Sequence, residues 1–225
     1  MSGFLNFLLP WLTSPAQWSG QDGVPNRVSE HIFYTVLALA VAMLLALPAG
    51  MFTGHTGRGG FLAASLANFA RALPTIGLLV IIVQGMGIGL VPPLIVLVAL
   101  AIPPILINTY EGIRSVDAEM KDAARGVGMT GRQVLFRVEL PAAMPLILLG
   151  LRTAAIQIVA TATVAAYVGL GGLGRFIFDG LSRQDYQALA GGTVFAVLLA
   201  LVVTLVFMLL RRLLVPRGVR LQEKA

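Results

Sequence analysis

Five apolar stretches of roughly membrane-spanning length constrain this chain more than any other feature. Each is close to the roughly 20 residues that a helix needs to cross the hydrocarbon core of a bilayer. The chain is 57% hydrophobic and only 12% charged, whereas a soluble domain has about 25% charged residues. A soluble protein with one large core is the competing interpretation, and several separate runs of this length disfavour it. The stretches cover residues 31–53, 61–84, 90–110, 142–168 and 188–210.

The fold class predicted from these runs is all-α: a polytopic membrane protein with a bundle of five transmembrane helices at residues 31–212. An external segment at 1–30 and a cytoplasmic basic tail at 213–225 flank the bundle. Trp11 and Trp18 favour an interfacial position for the external segment, because an amphipathic ring can lie between lipid and water. A disordered tail is an equally good interpretation of residues 1–30.

The distribution of basic residues predicts the orientation of the bundle. If the amino terminus lies outside, the cytoplasmic segments contain eleven Lys and Arg residues and the outer segments contain three. This excess follows the positive-inside tendency, so the carboxyl terminus is expected in the cytoplasm. The formal charge of +6 is spread beside the apolar runs, without an aromatic-interleaved patch, so we expect no nucleic-acid partner. The chain has no cysteine, which excludes disulfides and thiolate metal sites.

Residues 111–141 form a polar loop in this oily chain, and the orientation places it in the cytoplasm. Asp117 stands where a helix amino terminus favours negative charge, and Gly128 can take the left-handed conformation that ends a helix. Thr130 and Gln133 have the spacing of a capping box, which predicts the start of a second short helix, and Pro141 is expected to end the loop where the next span begins. The loop is therefore predicted to be a helix-turn-helix, with the small residues Ala123 and Ala124 on its surface, that offers a docking surface to another protein.

Within this loop, one set of residues has a recognisable spacing. Asp-Ala-Ala is followed after three residues by Gly and, after nine more, by Val-x-Leu-Pro; the set is Asp122, Ala123, Ala124, Gly128, Val138, Leu140 and Pro141. This pattern resembles the EAA motif of the permease subunits of bacterial ABC importers, EAA-x3-G-x9-I-x-LP. Asp122 replaces the Glu of that motif and Val138 replaces its Ile. The resemblance implies that these residues couple the membrane helices to a cytoplasmic ABC ATPase.

The resemblance covers about residues 30–212, and within the family it is greatest to permeases for osmoprotectants such as glycine betaine, carnitine and choline. The stretches that carry it are 71–77, 103–110, 157–163 and 169–174. Permeases of methionine-type amino-acid importers share the five-span plan and remain the alternative. A secondary transporter or a structural membrane scaffold is the alternative from a different class. The predicted spans contain no clear Asp or Glu for ion coupling, and a scaffold would not explain the motif's spacing.

The resemblance also implies the partners and the location. A permease of this family works in the bacterial inner membrane by alternating access, in contact with lipid, and beside a second permease copy or a paralogue. The chain has no G-x-x-x-x-G-K-[ST] run, so it is expected to hold no cofactor and to be no enzyme. ATP and Mg would be bound by the separate ATPase. The extracytoplasmic substrate-binding protein is likewise expected on a separate chain.

Polar and helix-breaking residues inside the predicted spans are the candidates for a substrate pathway. Arg71 and Arg152 are ionisable groups at membrane depth, where a charge is costly and commonly faces a partner or a water path. Snorkelling to carbonyls or head groups is the competing interpretation. The other candidates, which could equally bond between helices, are Pro74, Thr75, Gln157, Thr161 and Thr163.

Three further features suggest no chemistry. Gly169, Gly171 and Gly174 match the dinucleotide pattern G-x-G-x-x-G, but they follow a predicted span instead of a strand, so close helix packing or a flexible connection is preferred. His31 and His55 lie at predicted span ends and are expected to be solvated. No cluster of residues with metal-ligand spacing lies in the sequence, so no metal site is predicted.

Overall fold

The computed structural model describes residues 2–61, 65, 74–216 and 218–219, and the regular structure of these segments is helical. A short 3₁₀ turn at Pro15–Trp18 follows the first helix. The helices are α1 (Ser2–Thr13), α2 (Val24–Thr56), α3 (Thr75–Met86), α4 (Val91–Arg114), α5 (Ala118–Gly126), α6 (Gly131–Val168), α7 (Gly174–Arg183) and α8 (Tyr186–Leu214). The predicted all-α fold class is confirmed.

Four helices in the described part of the chain are long and apolar enough to cross a membrane: α2, α4, α6 and α8. They correspond to the first, third, fourth and fifth predicted spans, and all four are longer than predicted. The second half of the second predicted span corresponds to α3, which is a shorter apolar helix. Most of the first half of that span lies outside the described residues. The extra length brings Glu30 into α2, Glu111 into α4 and Glu139 into α6, so the expectation that the spans lack acidic residues is wrong for the observed helices.

The chain divides into two compact units, and the boundaries fall inside the long helices, after Leu39, Val98, Ala154 and Val202. Unit 1 contains α1, α3, α7, the first part of α2 and α4, the last part of α6 and most of α8. Unit 2 contains α5, the last part of α2, most of α4 and the first part of α6.

In unit 1, the amino-terminal helix packs against other helices. The Trp11 side chain is 4% exposed, and its ring meets Phe176 of α7 edge-on with 5.4 Å between centroids. On α8, a Cβ at Gly191 would lie 2.3 Å from the Trp11 ring, so only glycine admits the indole there. Trp11 is thus a packed residue of a helix, which the disordered-tail interpretation does not describe, and its interfacial position remains a prediction. Trp18, in contrast, is 48% exposed.

His31 also lies in unit 1 and is fully buried, so the expectation that it is solvated is wrong. The backbone N–H of Leu173 donates to its Nδ1 at 3.3 Å, which leaves Nε2 as the donor to the carbonyl of Val159 at 3.1 Å. The imidazole therefore joins α2, α6 and the start of α7 as a neutral ring with both nitrogens satisfied. A burial of this kind avoids the cost of an unpaired polar group in an apolar interior.

In unit 2, glycines bring the helix backbones together. A Cβ at Gly50 of α2 would lie 2.7 Å from Thr109 Cβ of α4, and one at Gly54 would lie 2.9 Å from Ile113 Cβ. Gly50 and Gly54 therefore form a small-x-x-x-small pair on the face of α2 that meets α4. On the α6 side, a Cβ at Gly150 would lie 2.7 Å from the Pro104 carbonyl oxygen. Small residues are the usual means by which membrane helices approach closely.

This packing predicts that Gly50→Ala destabilises the protein, whereas Gly85→Ala does not. The added methyl group at position 50 would overlap Thr109, and overpacking of this kind costs about 1–3 kcal/mol. At Gly85, within α3, nothing lies within 4 Å of the Cβ position, and alanine there gains up to about 1 kcal/mol of helix propensity. Thermal unfolding in detergent, followed by circular dichroism, should show a lower melting temperature for Gly50→Ala alone. Equal melting temperatures for the two variants would contradict the packing argument.

Candidate functional site

The polar segment between α4 and α6 begins with a capped helix. The Asp117 carboxylate accepts a hydrogen bond from the Glu119 backbone N–H at 2.8 Å and caps the start of α5. Capping by Asp satisfies one of the donors that a helix leaves free at its amino end and stabilises it by about 1 kcal/mol. The expected position of Asp117 at a helix start is confirmed.

The turn after α5 depends on Gly128. Its φ angle is +88°, which is the left-handed region that glycine occupies without a steric penalty. The Gly128 N–H donates to the Arg125 carbonyl at 2.9 Å, and the Met129 N–H donates to the Ala124 carbonyl at 3.1 Å. These two bonds form a Schellman motif, so the prediction that Gly128 ends this helix in the left-handed conformation is confirmed.

A capping box starts the next helix, as the sequence predicts. The Gln133 N–H donates to the Thr130 hydroxyl at 3.4 Å, and the Gln133 side-chain oxygen accepts from the Thr130 N–H at 2.8 Å. The turn between α5 and α6 is therefore fixed at both ends by its own hydrogen bonds.

The helix that begins at Gly131 does not end at Pro141; it continues as α6 to Val168. The proline is accommodated by a wider π turn at Leu135–Glu139, where the Leu140 N–H donates to the Leu135 carbonyl. Proline has no N–H to donate to the Arg137 carbonyl, and its ring crowds that carbonyl, so the local backbone opens instead of breaking. The polar hairpin and the transmembrane part of α6 therefore share one helix.

The motif residues divide into exposed and packed positions. Asp122 and Ala123 are exposed, and the Asp122 carboxylate makes a surface ion pair with Arg125 at 3.2 Å. Beside them, Val127 is 78% exposed. Ala124 is 8% exposed, so the expectation that both alanines lie on the surface is wrong for Ala124. Gly128 is exposed, and Val138, Leu140 and Pro141 are half-buried.

A groove of about 550 Å³ follows the packed side of the hairpin. Val138 and Pro141 of the motif lie in its wall together with Asp117, Met120 and Arg137. The second half of the motif therefore lines this groove, whereas Asp122 and Ala123 of the first half are exposed on unit 2, where a protein partner could contact them.

Glu139, the variable position of the motif, was missed by the sequence reasoning. Its side chain is 2% exposed, and its Oε2 lies 2.5 Å from Nδ1 of His55 at the end of α2. His55 is therefore paired, and the expectation that it is solvated is wrong. Two features of the sequence could have indicated this pair: an acid inside an otherwise apolar motif and a histidine at the end of a span. Because the two residues are 84 positions apart, no local pattern connects them.

Not all of the candidate pathway residues lie in the part of the chain that the structure describes. Arg71 lies outside the described residues. In unit 1, Pro74 and Thr75 lie at the start of α3, Gln157 is half-buried, Thr161 is 8% exposed, and Thr163 donates its hydroxyl to the Ala160 carbonyl at 2.6 Å. Arg152, in unit 2, lines a separate cavity of about 240 Å³ with Leu149, Phe207 and Arg211. Their roles in a pathway remain predictions.

The glycine-rich connection after α6 is closely packed. A Cβ at Gly171 would lie 2.5 Å from the Glu30 carboxylate, and one at Gly174 would overlap the Thr163 carbonyl. This geometry supports the packing interpretation over a dinucleotide site. Among the residues that the structure describes, no group of three His, Cys, Asp or Glu side chains could hold a metal ion.

Membrane-length helices with a self-capped, exposed polar hairpin define a polytopic membrane protein. The chain belongs to the family described as binding-protein-dependent transport system inner membrane component, which matches residues 43–219. It is thus the permease, the membrane component, of such a transport system.

Among curated proteins, the choline transport system permease protein OpuBB of Bacillus subtilis is 35% identical over 198 residues, which cover 88% of this chain and 91% of that protein. The glycine betaine/carnitine/choline transport system permease protein OpuCB of the same species is 31% identical over 194 residues, 86% of this chain and 89% of that protein. Among solved structures, the inward-facing MetNI methionine ABC transporter matches with a TM-score of 0.75 at 22% identity over 86% of this chain and 96% of the other. That likeness shows the fold alone.

The buried pair predicts an unusual order of stabilities among variants. His55→Leu leaves the Glu139 carboxylate buried without its partner, and loss of one member of a buried pair costs about 3–5 kcal/mol. The double variant His55→Leu/Glu139→Met removes both polar groups and should be more stable than His55→Leu alone. Thermal unfolding of the wild type, both single variants and the double variant in detergent gives the coupling energy. Simple additivity of the two substitutions would show that the contact has no energetic weight.

Proposed function

We propose that this chain is the permease subunit of an ATP-driven importer of osmoprotectants such as glycine betaine, carnitine or choline. The observation that carries the proposal is the 31–35% identity with choline and glycine betaine/carnitine/choline permeases over nearly the full length of both proteins. Identity at this level across the whole membrane domain supports a shared substrate class in addition to a shared fold.

The coupling surface in this proposal is the hairpin from Asp117 to Pro141. Its exposed residues Asp122, Ala123 and Val127 would contact a cytoplasmic ABC ATPase, which binds the ATP and Mg that this chain does not. Glu139 and His55 join the base of the hairpin to α2 at 2.5 Å, so a displacement of the docked hairpin would move both helices. No covalent chemistry is required of the permease.

Transport would follow alternating access. An extracytoplasmic binding protein delivers the substrate to a cavity that this chain forms with a second copy or a paralogue. Closure of the ATPase dimer then shifts the bundle from its outward-facing to its inward-facing state, because the docked ATPase binds the two states with different affinity. The amino terminus lies outside and the carboxyl terminus in the cytoplasm, as the basic residues indicate.

A methionine-type importer is the second candidate. The observation in its favour is the TM-score of 0.75 with a methionine transporter. At 22% identity that likeness concerns the fold, and a fold alone does not identify a substrate.

Substrate class is tested by uptake into proteoliposomes that contain the permease, its ATPase and its binding protein. We expect ATP-dependent uptake of radiolabelled choline, carnitine or glycine betaine, and no competition by methionine. Uptake of methionine without uptake of any quaternary ammonium compound would reject the osmoprotectant proposal. A control without the binding protein separates receptor-dependent transport from leakage.

The coupling role is tested at Gly128 with two side chains of similar size. Valine is β-branched and strained at a φ of +88°, whereas asparagine tolerates the left-handed region. We expect Gly128→Val to lose most ATP-driven uptake and co-purification with the ATPase, and Gly128→Asn to retain most of both. The Cβ position is open in either case, so the difference reports the backbone. Full uptake by Gly128→Val in a stably inserted protein would remove the turn from the coupling mechanism.

A further inference from the structure

Unit 1 contains a cavity of about 620 Å³ that none of the coupling residues touches. This volume is in the range of small-molecule sites. The first turns of α2 form one wall, and the glycine-rich connection after α6 forms another. The lining residues are Ser29, Glu30, Phe33, Tyr34, Gly89, Leu90, Gly169, Leu170 and Gly171.

Two aromatic rings face this cavity beside a carboxylate. Phe33 and Tyr34 are in contact, with ring centroids 5.8 Å apart and planes inclined by 66°. Phe33 is 54% exposed. An exposed phenylalanine on a membrane helix alone indicates only contact with lipid, but here the ring shares a cavity wall with Glu30 and Ser29.

The Glu30 carboxylate is held rigidly at this wall. Its Oε2 accepts from the Gly172 N–H at 2.7 Å and from Nη1 of Arg27 at 2.9 Å, and its Oε1 accepts from the Asn26 side-chain amide at 3.4 Å. A Cβ at Gly171 would lie 2.5 Å from Glu30 Oε2 and 3.0 Å from the Tyr34 hydroxyl oxygen. The glycine thus lets the carboxylate and the aromatic hydroxyl approach the same stretch of backbone.

Glu30 is the charged residue among those that line the cavity. Arg27 is paired with both Asp22 and Glu30, so two carboxylates face one guanidinium and the cluster has one excess negative charge. The Arg27 guanidinium is not among the groups that line the cavity, whereas Glu30 is. A cation in the cavity would therefore meet the carboxylate and two aromatic side chains.

We infer that this cavity binds the quaternary ammonium head group of the transported molecule, a conclusion that rests on the proposed function. A quaternary ammonium group has no N–H, so it needs negative potential and aromatic surface but no free hydrogen-bond acceptor. The Glu30 oxygens already accept three hydrogen bonds, which suits a methylated cation better than a primary amine. The site belongs to the permease and is independent of the external binding protein.

The test uses the purified permease–ATPase complex in a maltoside detergent, without the binding protein and without choline-containing lipids. Saturation-transfer NMR on the N-methyl protons of choline measures binding, and the neutral tert-butyl isostere of choline measures the hydrophobic contribution alone. We expect choline to bind more tightly than its isostere. Tetramethylammonium, which carries only the head group, should compete.

Three variants assign the binding to the cavity. Phe33→Leu keeps an apolar side chain but removes the ring, and should weaken choline binding about three- to thirty-fold. Glu30→Gln keeps an acceptor for the Gly172 N–H but removes the charge, and should abolish the preference for choline over the isostere. Phe178→Leu is the matched control, because Phe178 pairs with Tyr167 but does not line the cavity, and should bind choline like the wild type.

The outcomes separate this inference from the proposed function. Equal binding of choline and its isostere, or an equal loss in Phe33→Leu and Phe178→Leu, would overturn the head-group site even if proteoliposomes import choline. If proteoliposomes import only methionine, the proposed function fails, and the tetramethylammonium titration still reports directly on the cavity. Phe33→Tyr keeps a ring and should bind choline like the wild type, and a wild-type melting temperature for Phe33→Leu would exclude a folding defect in that variant.

Discussion

Close backbone approach at glycine is the interaction on which the helix packing of unit 2 depends. In a bilayer, apolar side chains gain nothing by leaving lipid for a helix interface, so association depends on contacts at short range. α4 meets α2 at Gly50 and Gly54 and meets α6 at Gly112 and Gly150, and at each of these a Cβ would lie within about 3 Å of the partner helix. α4 is accordingly the most buried of the four membrane-length helices.

The polar hairpin depends on this framework for its position but not for its conformation. Asp117, Gly128 and the Thr130–Gln133 box satisfy the helix ends with hydrogen bonds inside the hairpin, so the turn needs no partner to form. Its position is set by Glu139, which bonds His55 of α2. A docking surface that is folded in advance loses little conformational entropy on binding, which favours rapid and repeated engagement. This arrangement suits a contact that transmits motion and performs no reaction.

The sequence predicted those features that are encoded by neighbours in the chain. Asp117, Gly128, Thr130 and Gln133 act within a few residues of themselves, and the apolar runs are long enough to identify four spans. The polar contacts between distant segments could not be predicted: Glu30 bonds the backbone 142 residues away, and Glu139 bonds a histidine 84 residues away. No local pattern specifies such partners, because each depends on which helices pack together. Ala124 and His31 were expected to be exposed and are buried, and this error has the same cause.

The three acids that the membrane-length helices contain, Glu30, Glu111 and Glu139, bear on the choice between an ATP-driven and an ion-driven transporter. The sequence argument against ion coupling relied on spans without Asp or Glu, and the observed helices remove that support. Two of these acids are engaged within their own units: Glu139 by His55 and Glu30 by Arg27 and the Gly172 N–H. These partners offset the desolvation of the two carboxylates, which an ionisable group at a helix interface requires. Glu111 is exposed at the end of α4. The case for ATP coupling therefore depends on family membership and on the exposed, self-capped hairpin, and neither requires the spans to be free of charge.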